Sequence, residues 1–124
     1  MPKPPAETGL RAYLAGASAE EQAVRAYEAQ GYELVEQRWR GAGGEIDLIL
    51  QKASLWVFVE VKTGPSHAAA LARITPRQMA RVAASAALFL DQQPEGGLSE
   101  ARIDVAVVDS KGSVEILENA YGQG

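Results

Sequence analysis

Two apolar runs, Ile46–Leu50 and Leu55–Val61, are separated only by the polar Gln51–Ser54. Their content of Ile, Leu, Val, Phe and Trp, with a short turn between, reads as two central β-strands joined tightly. Strand side chains alternate between faces. On the first strand Glu45, Asp47 and Ile49 then share one face, and Ile46, Leu48 and Leu50 the other. On the second, Trp56, Phe58, Glu60 and Lys62 oppose Val57, Val59 and Val61. Charges therefore interrupt strands that otherwise look buried on both sides. A lone buried charge costs several kcal/mol or shifts its pKa until it neutralises. The arrangement is tolerable if these charges meet one another and a cation. An Asp on one strand and Glu-x-Lys on its neighbour make an oxygen-rich pocket beside a positive charge, which suits a hard divalent ion such as Mg²⁺.

The rest of the composition limits the alternatives. At 124 residues, with 47% apolar and 23% charged, the chain is sized for one soluble domain with one core. The absence of Cys and the single His exclude a disulfide framework, a thiol nucleophile and a multi-His zinc site within one chain. No apolar run approaches the ~20 residues of a membrane span. The N-terminal MPKPPAETG lacks the apolar centre of a signal peptide, so a cytoplasmic protein without membrane association is expected. A net charge of −4 argues against generic nucleic-acid binding, but the charge is unevenly placed. Between Gln37 and Arg81 there are seven basic residues (Arg38, Arg40, Lys52, Lys62, Arg73, Arg77, Arg81) and three acids, so that window is +4 and the remainder −8.

Along the chain, residues 1–15 read as a mobile N-terminal segment with a short helix over Leu10–Leu14 ended by Gly16. Ser18 to Glu21 has the pattern of a capping box, which starts a helix that Gly31 ends in the left-handed conformation. Glu20 falls on that helix's core-facing stripe with Ala23, Val24 and Tyr27. Tyr32–Arg40 reads as a strand, with Leu34 and Val35 inward and Trp39 at the core edge. Thr63–Ile74 reads as a mobile loop in which His67 is solvated. Thr75-Pro76-Arg77-Gln78 opens a second helix with a cap, a Pro at the first turn and Gln78 closing the box. That helix runs to about Asp91, burying Met79, Val82, Ala83, Ala86, Phe89 and Leu90. Ala101–Val108 and Val114–Leu117 form a terminal hairpin around the Asp109–Gly112 turn.

Asp47 followed by Glu60-Val61-Lys62 matches the PD-(D/E)xK nuclease signature. The longer strings Gly44–Ile49 and Val57–Thr63 resemble the YraN-like family, small bacterial proteins of that superfamily that are similar to archaeal Holliday-junction resolvases. Arg102–Val105 and Asn119–Tyr121 resemble further motifs of the family, and the resemblance spans residues 16–121. It implies a restriction-endonuclease-like α/β fold: an αβββαβ core with a mixed central sheet flanked by helices, plus a C-terminal hairpin strand, in one domain over residues 16–124. It implies a Mg²⁺- or Mn²⁺-dependent endonuclease acting on DNA, branched or junction DNA included. Asp47, Glu60 and the backbone carbonyl of Val61 would be the metal ligands, and Glu45 and Glu20 further candidates. Lys62 would orient or deprotonate the attacking water or offset charge on the oxyanion, the last favoured because a Lys beside two carboxylates normally stays protonated. Arg38, Arg40, Arg77 and Arg81 would contact phosphates, with Gln78 a further candidate, and junction cleavage would require a homodimer. Two other readings compete: a nucleic-acid-binding module with a metal pocket but no efficient catalysis, and a partner protein whose polar pocket is only an ion-pair network.

Overall fold

Both central strands form where expected, β2 over Gly44–Lys52 and β3 over Leu55–Thr63. The computed structural model that contains them describes residues 7–41 and 43–121, with side chains from Ser18 onward. The remaining elements are α1 (Glu7–Glu28), β1 (Glu33–Gly41), α2 (His67–Leu71), α3 (Pro76–Asp91), a 3₁₀ turn at Gly96–Leu98, β4 (Glu100–Val108) and β5 (Val114–Leu117). The strands form one sheet in chain order, β1-β2-β3-β4-β5. Every pairing is antiparallel except β3 with β4. A parallel pair needs a crossover that carries the chain from the end of one strand back to the opposite end of the sheet, where the next begins, and α2 and α3 supply it. The result is the expected mixed α/β architecture with an αβββαβ core.

Helices cover both faces. Ala23 and Tyr27 of α1 pack with Leu48, Leu50, Val57, Val59 and Ala106. Val82, Ala86 and Phe89 of α3 pack with Ile46, Ile49, Trp56 and Phe58 on the opposite side. Trp39 closes the edge of the second layer, its ring 5.3 Å from that of Phe89 in an edge-to-face contact. Met79, Ala70 and the β4 valines Val105 and Val107 form a third cluster under α2. No helix among the described residues is long and apolar enough to cross a membrane.

Four local expectations are corrected. α1 is continuous from Glu7, so Gly16 does not end a helix and Ser18 does not cap one. Ala, Leu, Arg and Glu around Gly16 are good helix formers, and one interior Gly costs only about 1 kcal/mol. Of the expected mobile segment, residues 1–6 lie outside the described residues. Val35 does not point inward. The β1–β2 register shifts between Leu34 and Glu36, and the extra residue, Val35, is exposed. Thr63–Ile74 holds a helix rather than a loop throughout. Ser66 caps α2 by accepting from the Ala69 N–H at 3.1 Å, and Ala70 is fully buried. Gly64 permits that packing, since a Cβ there would lie 2.7 Å from the Ala70 backbone nitrogen. His67, expected in solvent, lies 2.8 Å through Nε2 from the Ser113 carbonyl and so ties α2 to the β4–β5 turn.

The termination of α1 and the start of α3 follow local chemistry. Gly31 adopts φ 90°, and the Tyr32 N–H donates to the Tyr27 carbonyl at 3.1 Å. Thr75 and Gln78 form the reciprocal capping box at 3.1 and 3.0 Å. A polar network within the core joins α1 to β4. The wholly buried Asp104 accepts from Tyr27 Oη at 2.7 Å, from Arg102 Nε at 2.8 Å and from the Asn119 N–H at 3.0 Å. Burial and the Asp104 carboxylate push the Tyr27 phenol far up, so it remains a donor. Arg102 and Asp104 thus hold structure together, with every oxygen of the buried carboxylate satisfied.

Candidate active site

The site begins where the sheet comes apart. The β2–β3 pairing runs from Lys52 and Leu55 to Leu48 and Val59 and stops. One residue further, the Asp47 side chain takes over the role of the missing strand, with Oδ2 accepting the Val61 N–H at 2.8 Å. A carboxylate thus fills the fork between two parting strands. On the other side of β2, Gln37 pairs with Leu48 and Trp39 with Ile46, which sets Arg38 across from Asp47. Arg38 has φ 54°, a left-handed backbone that costs a non-glycine residue about 1–2 kcal/mol. Neighbouring strand residues normally point to opposite faces. Here Gln37 Nε2 and Arg38 Nε both donate to Glu20 Oε1, at 3.2 and 3.1 Å. The regular alternation of β2 also fails at this point: Ile46 packs in the same α3-side layer as Ile49, not with Leu48 and Leu50. Such strand irregularities re-aim side chains and recur beside active sites.

The re-aimed groups meet in a cavity of about 300 Å³ lined by Glu20, Asp47, Glu60, Val61, Lys62, Thr63 and Arg73. Lys62 Nζ lies 3.2 Å from Glu60 Oε2. Glu60 also borders a smaller cavity of about 160 Å³ against α3, with Gly44, Glu45, Gln78 and Arg81. Gly44, at φ 135°, starts β2 at this point, and the buried Ser85 hydroxyl of α3 donates to its carbonyl at 2.9 Å. Glu45 is met by Arg40 at 3.6 Å, in a pair whose arginine is 80% exposed and adds little to stability.

Burial first, then repulsion from Glu60, push the Asp47 carboxyl from 3.8 up to about 7, against the Val61 hydrogen bond that lowers it. Burial also raises Glu60, while Lys62 opposes the shift. Glu20 and Glu45 add to the repulsion on both. Two carboxyls that burial and the like charges around them hold back from ionising mark a site that an added cation would relieve.

The donor set can be compared with such an ion. Among the described residues no group of three or more Asp, Glu or His converges closely enough to form a metal cage. Asp47 Oδ1 and Glu60 Oε1, however, have no protein hydrogen-bond partner there. Mg²⁺ is commonly held by one or two carboxylates and otherwise by water. Two free carboxylate oxygens in an open polar cavity fit that habit and do not fit an all-protein cage.

Of the site residues read from the sequence, Asp47, Glu60, Val61, Lys62 and Glu20 come together in the main cavity, and Glu45, Gln78 and Arg81 around the adjoining one. Glu20 is already bound by Gln37 and Arg38. Arg38 and Arg40 serve as partners to Glu20 and Glu45, whereas the exposed Arg77 borders neither cavity. Arg73 is a cavity residue that the sequence does not single out; its only signal there is membership of the basic window. Residues 19–108 match the model of the uncharacterised protein family UPF0102. A UPF0102 protein of Ruegeria sp. strain TM1040 is 53% identical over 116 residues, covering 94% of each chain. Others from Roseobacter denitrificans and Ruegeria pomeroyi are 51% and 50% identical, covering 94% and 96% of this chain and 90% and 97% of theirs.

Proposed function

The chain belongs to the uncharacterised protein family UPF0102, the YraN-like family expected from its sequence, and we propose that it is a Mg²⁺- or Mn²⁺-dependent endonuclease acting on DNA. The observation that carries this reading is the convergence of Asp47 and Glu60 in one cavity, both with raised pKa and each with a free oxygen, beside Lys62. Asp47 Oδ1, Glu60 Oε1 and the Val61 carbonyl are the groups that would hold the ion. Bound there, it would supply Lewis acidity and positive charge for phosphodiester hydrolysis.

The protein's own residues define the remaining roles. The Val61 N–H fixes the Asp47 carboxylate through Oδ2 and leaves Oδ1 uncommitted at the cavity that Asp47 lines. Lys62 pairs with Glu60 and brings positive charge to the side of the cavity where the phosphate would sit. Gln37 and Arg38 hold Glu20 at the cavity wall, which makes Glu20 an orienting residue before it is a ligand. Branched DNA as substrate and a symmetric dimer as the working unit belong to the same proposal, by resemblance to resolvases.

The test is cleavage of labelled branched, single-stranded and duplex DNA with Mg²⁺ or Mn²⁺, with wild type beside Asp47→Ala and Lys62→Ala. Metal-dependent cleavage lost in both variants is expected. Activity that survives Asp47→Ala refutes the site, and a folded wild type that binds metal and DNA without cutting assigns the chain to the binding-module alternative.

A further inference from the structure

The cations around the cavity fall into two groups. Arg38 is held by Glu20, Arg40 by Glu45 and Lys62 by Glu60. Arg73 lines the same cavity as Asp47, Glu60 and Lys62, yet among the described residues its side chain makes no hydrogen bond, ion pair or ring contact. It is nonetheless held in place through its backbone. The Arg73 N–H donates to the Ala70 carbonyl at 3.1 Å, and the Ile74 N–H to that of Leu71 at 3.0 Å. Ile74 packs against the cluster of Ala70, Met79, Val105 and Val107. The preceding α2 is tied down by its Ser66 cap and by the contact of His67 with Ser113. The following α3 starts shortly after, at the Thr75 capping box. An uncommitted guanidinium is therefore carried into an acidic cavity by a short, well-anchored connection.

We propose that Arg73 is a phosphate-binding residue of this cavity, taking a non-bridging oxygen of the nucleic-acid phosphodiester that sits against Asp47 and Glu60. The chemistry favours an anion as its partner. A guanidinium offers a planar fork of donors that matches a phosphate. Of the three acids lining the cavity, Glu20 is engaged by Arg38 and Glu60 by Lys62, and Asp47 gives one oxygen to the Val61 N–H and would give the other to the ion of the proposed site. The cavity, about 300 Å³, is roughly ten water volumes at ~30 Å³ each, enough for a phosphate with hydration. The placement also divides the work. Lys62 is paired with Glu60, so Arg73 adds a second, unpaired cation to the charge that Lys62 offers the phosphate. Arg81, on the neighbouring cavity, continues the same basic edge along α3. This inference rests on the reading of the cavity as a phosphodiester site, and its test separates the two.

Arg73→Ala, Arg73→Lys and, as a control of equal charge change, Arg25→Ala on the far part of α1 are compared with wild type. Binding of a labelled branched oligonucleotide is measured in Ca²⁺ across a salt series, together with Mn²⁺ affinity, melting temperature and single-turnover cleavage in Mn²⁺. Loss of one phosphate contact lowers the slope of log K against log salt by about 0.7–0.9. That loss is expected for Arg73→Ala but not for Arg73→Lys or Arg25→Ala, with melting and Mn²⁺ affinity not reduced. Cleavage by Arg73→Ala is expected to fall about 10²–10³-fold, as for removal of one oxyanion donor, with Arg73→Lys between it and wild type. If wild type cleaves and Arg73→Ala shows wild-type slope and rate, the inference is overturned and the nuclease reading stands. If wild type does not cleave but Arg73→Ala still loses the slope, the nuclease reading falls and the phosphate site stands. No binding by wild type overturns both.

Discussion

Replacing Asp47 with Asn should stabilise the metal-free protein at alkaline pH while abolishing metal binding. Asp47 ionises at 3.8 in an ordinary setting and at about 7 in the fold. Its folded pKa is raised, so the stabilising contribution is that of the protonated form. It is fully present below 3.8 and is lost as the pH rises through about 7. Each pH unit between those values is worth about 1.4 kcal/mol, which puts the upper limit near 4 kcal/mol. Solvent in the open cavity screens the charge, and we take about 2 kcal/mol as the expected size. The substituted amide carries no charge and keeps an oxygen to accept the Val61 N–H. In thermal melts with chelator, the variant should therefore match wild type near pH 3.5 and exceed it at pH 8 by about 8 °C, at about 4 °C per kcal/mol for a domain of this size. Excess Mn²⁺ should then raise wild type by RT ln(1 + [L]/Kd) and leave the variant unmoved. A variant that melts below wild type at pH 8, or that differs from it by the same margin at every pH, would refute the account of Asp47 as a carboxylate strained by burial and by Glu60.

Other perturbations test the scaffold. Asp104→Ala leaves the Tyr27 hydroxyl without its partner and the Arg102 charge with only the exposed Glu118 and the Tyr32 hydroxyl, and should cost about 3 kcal/mol in urea unfolding. Gly64→Ala brings a methyl 2.7 Å from the Ala70 nitrogen; it should destabilise by about 1–3 kcal/mol and speed amide exchange in His67–Leu71 before the sheet. Thr75→Ala removes the cap at the start of α3 and should cost about 1 kcal/mol, read from the chemical denaturation midpoint.

Much of the fold was legible because it depends on local chemistry. The apolar runs of β2 and β3 are long and separated by a polar turn, and Thr75-Pro76-Arg77-Gln78 can cap a helix without any tertiary help. The same local logic misled at Ser18, where a valid capping pattern lies inside a helix that begins at Glu7. It also missed α2, which is five residues long and mostly alanine; burial of Ala70 against β3 and β4 decides its state. Asp47, Glu60 and Lys62 could be read from their spacing. The faces around them could not, because strict alternation misplaces Ile46, and the left-handed Arg38 that accompanies the irregularity leaves no mark in the residue types. Whether an arginine is committed is likewise tertiary: Arg38 and Arg73 look alike in the chain, and among the described residues only the first finds a carboxylate.

The network around Asp104 also sets the rotational phase of α1. Tyr27 follows Glu20 by seven residues, close to two full turns, so both lie on one side of the helix about 10 Å apart along its axis. Pinning the Tyr27 hydroxyl to a carboxylate on β4 stops α1 from rolling about its axis, and this clocks Glu20 toward Gln37, Arg38 and the cavity. The orientation of one wall of the acidic cavity is thus decided two helical turns away, by a buried Asp that never touches it.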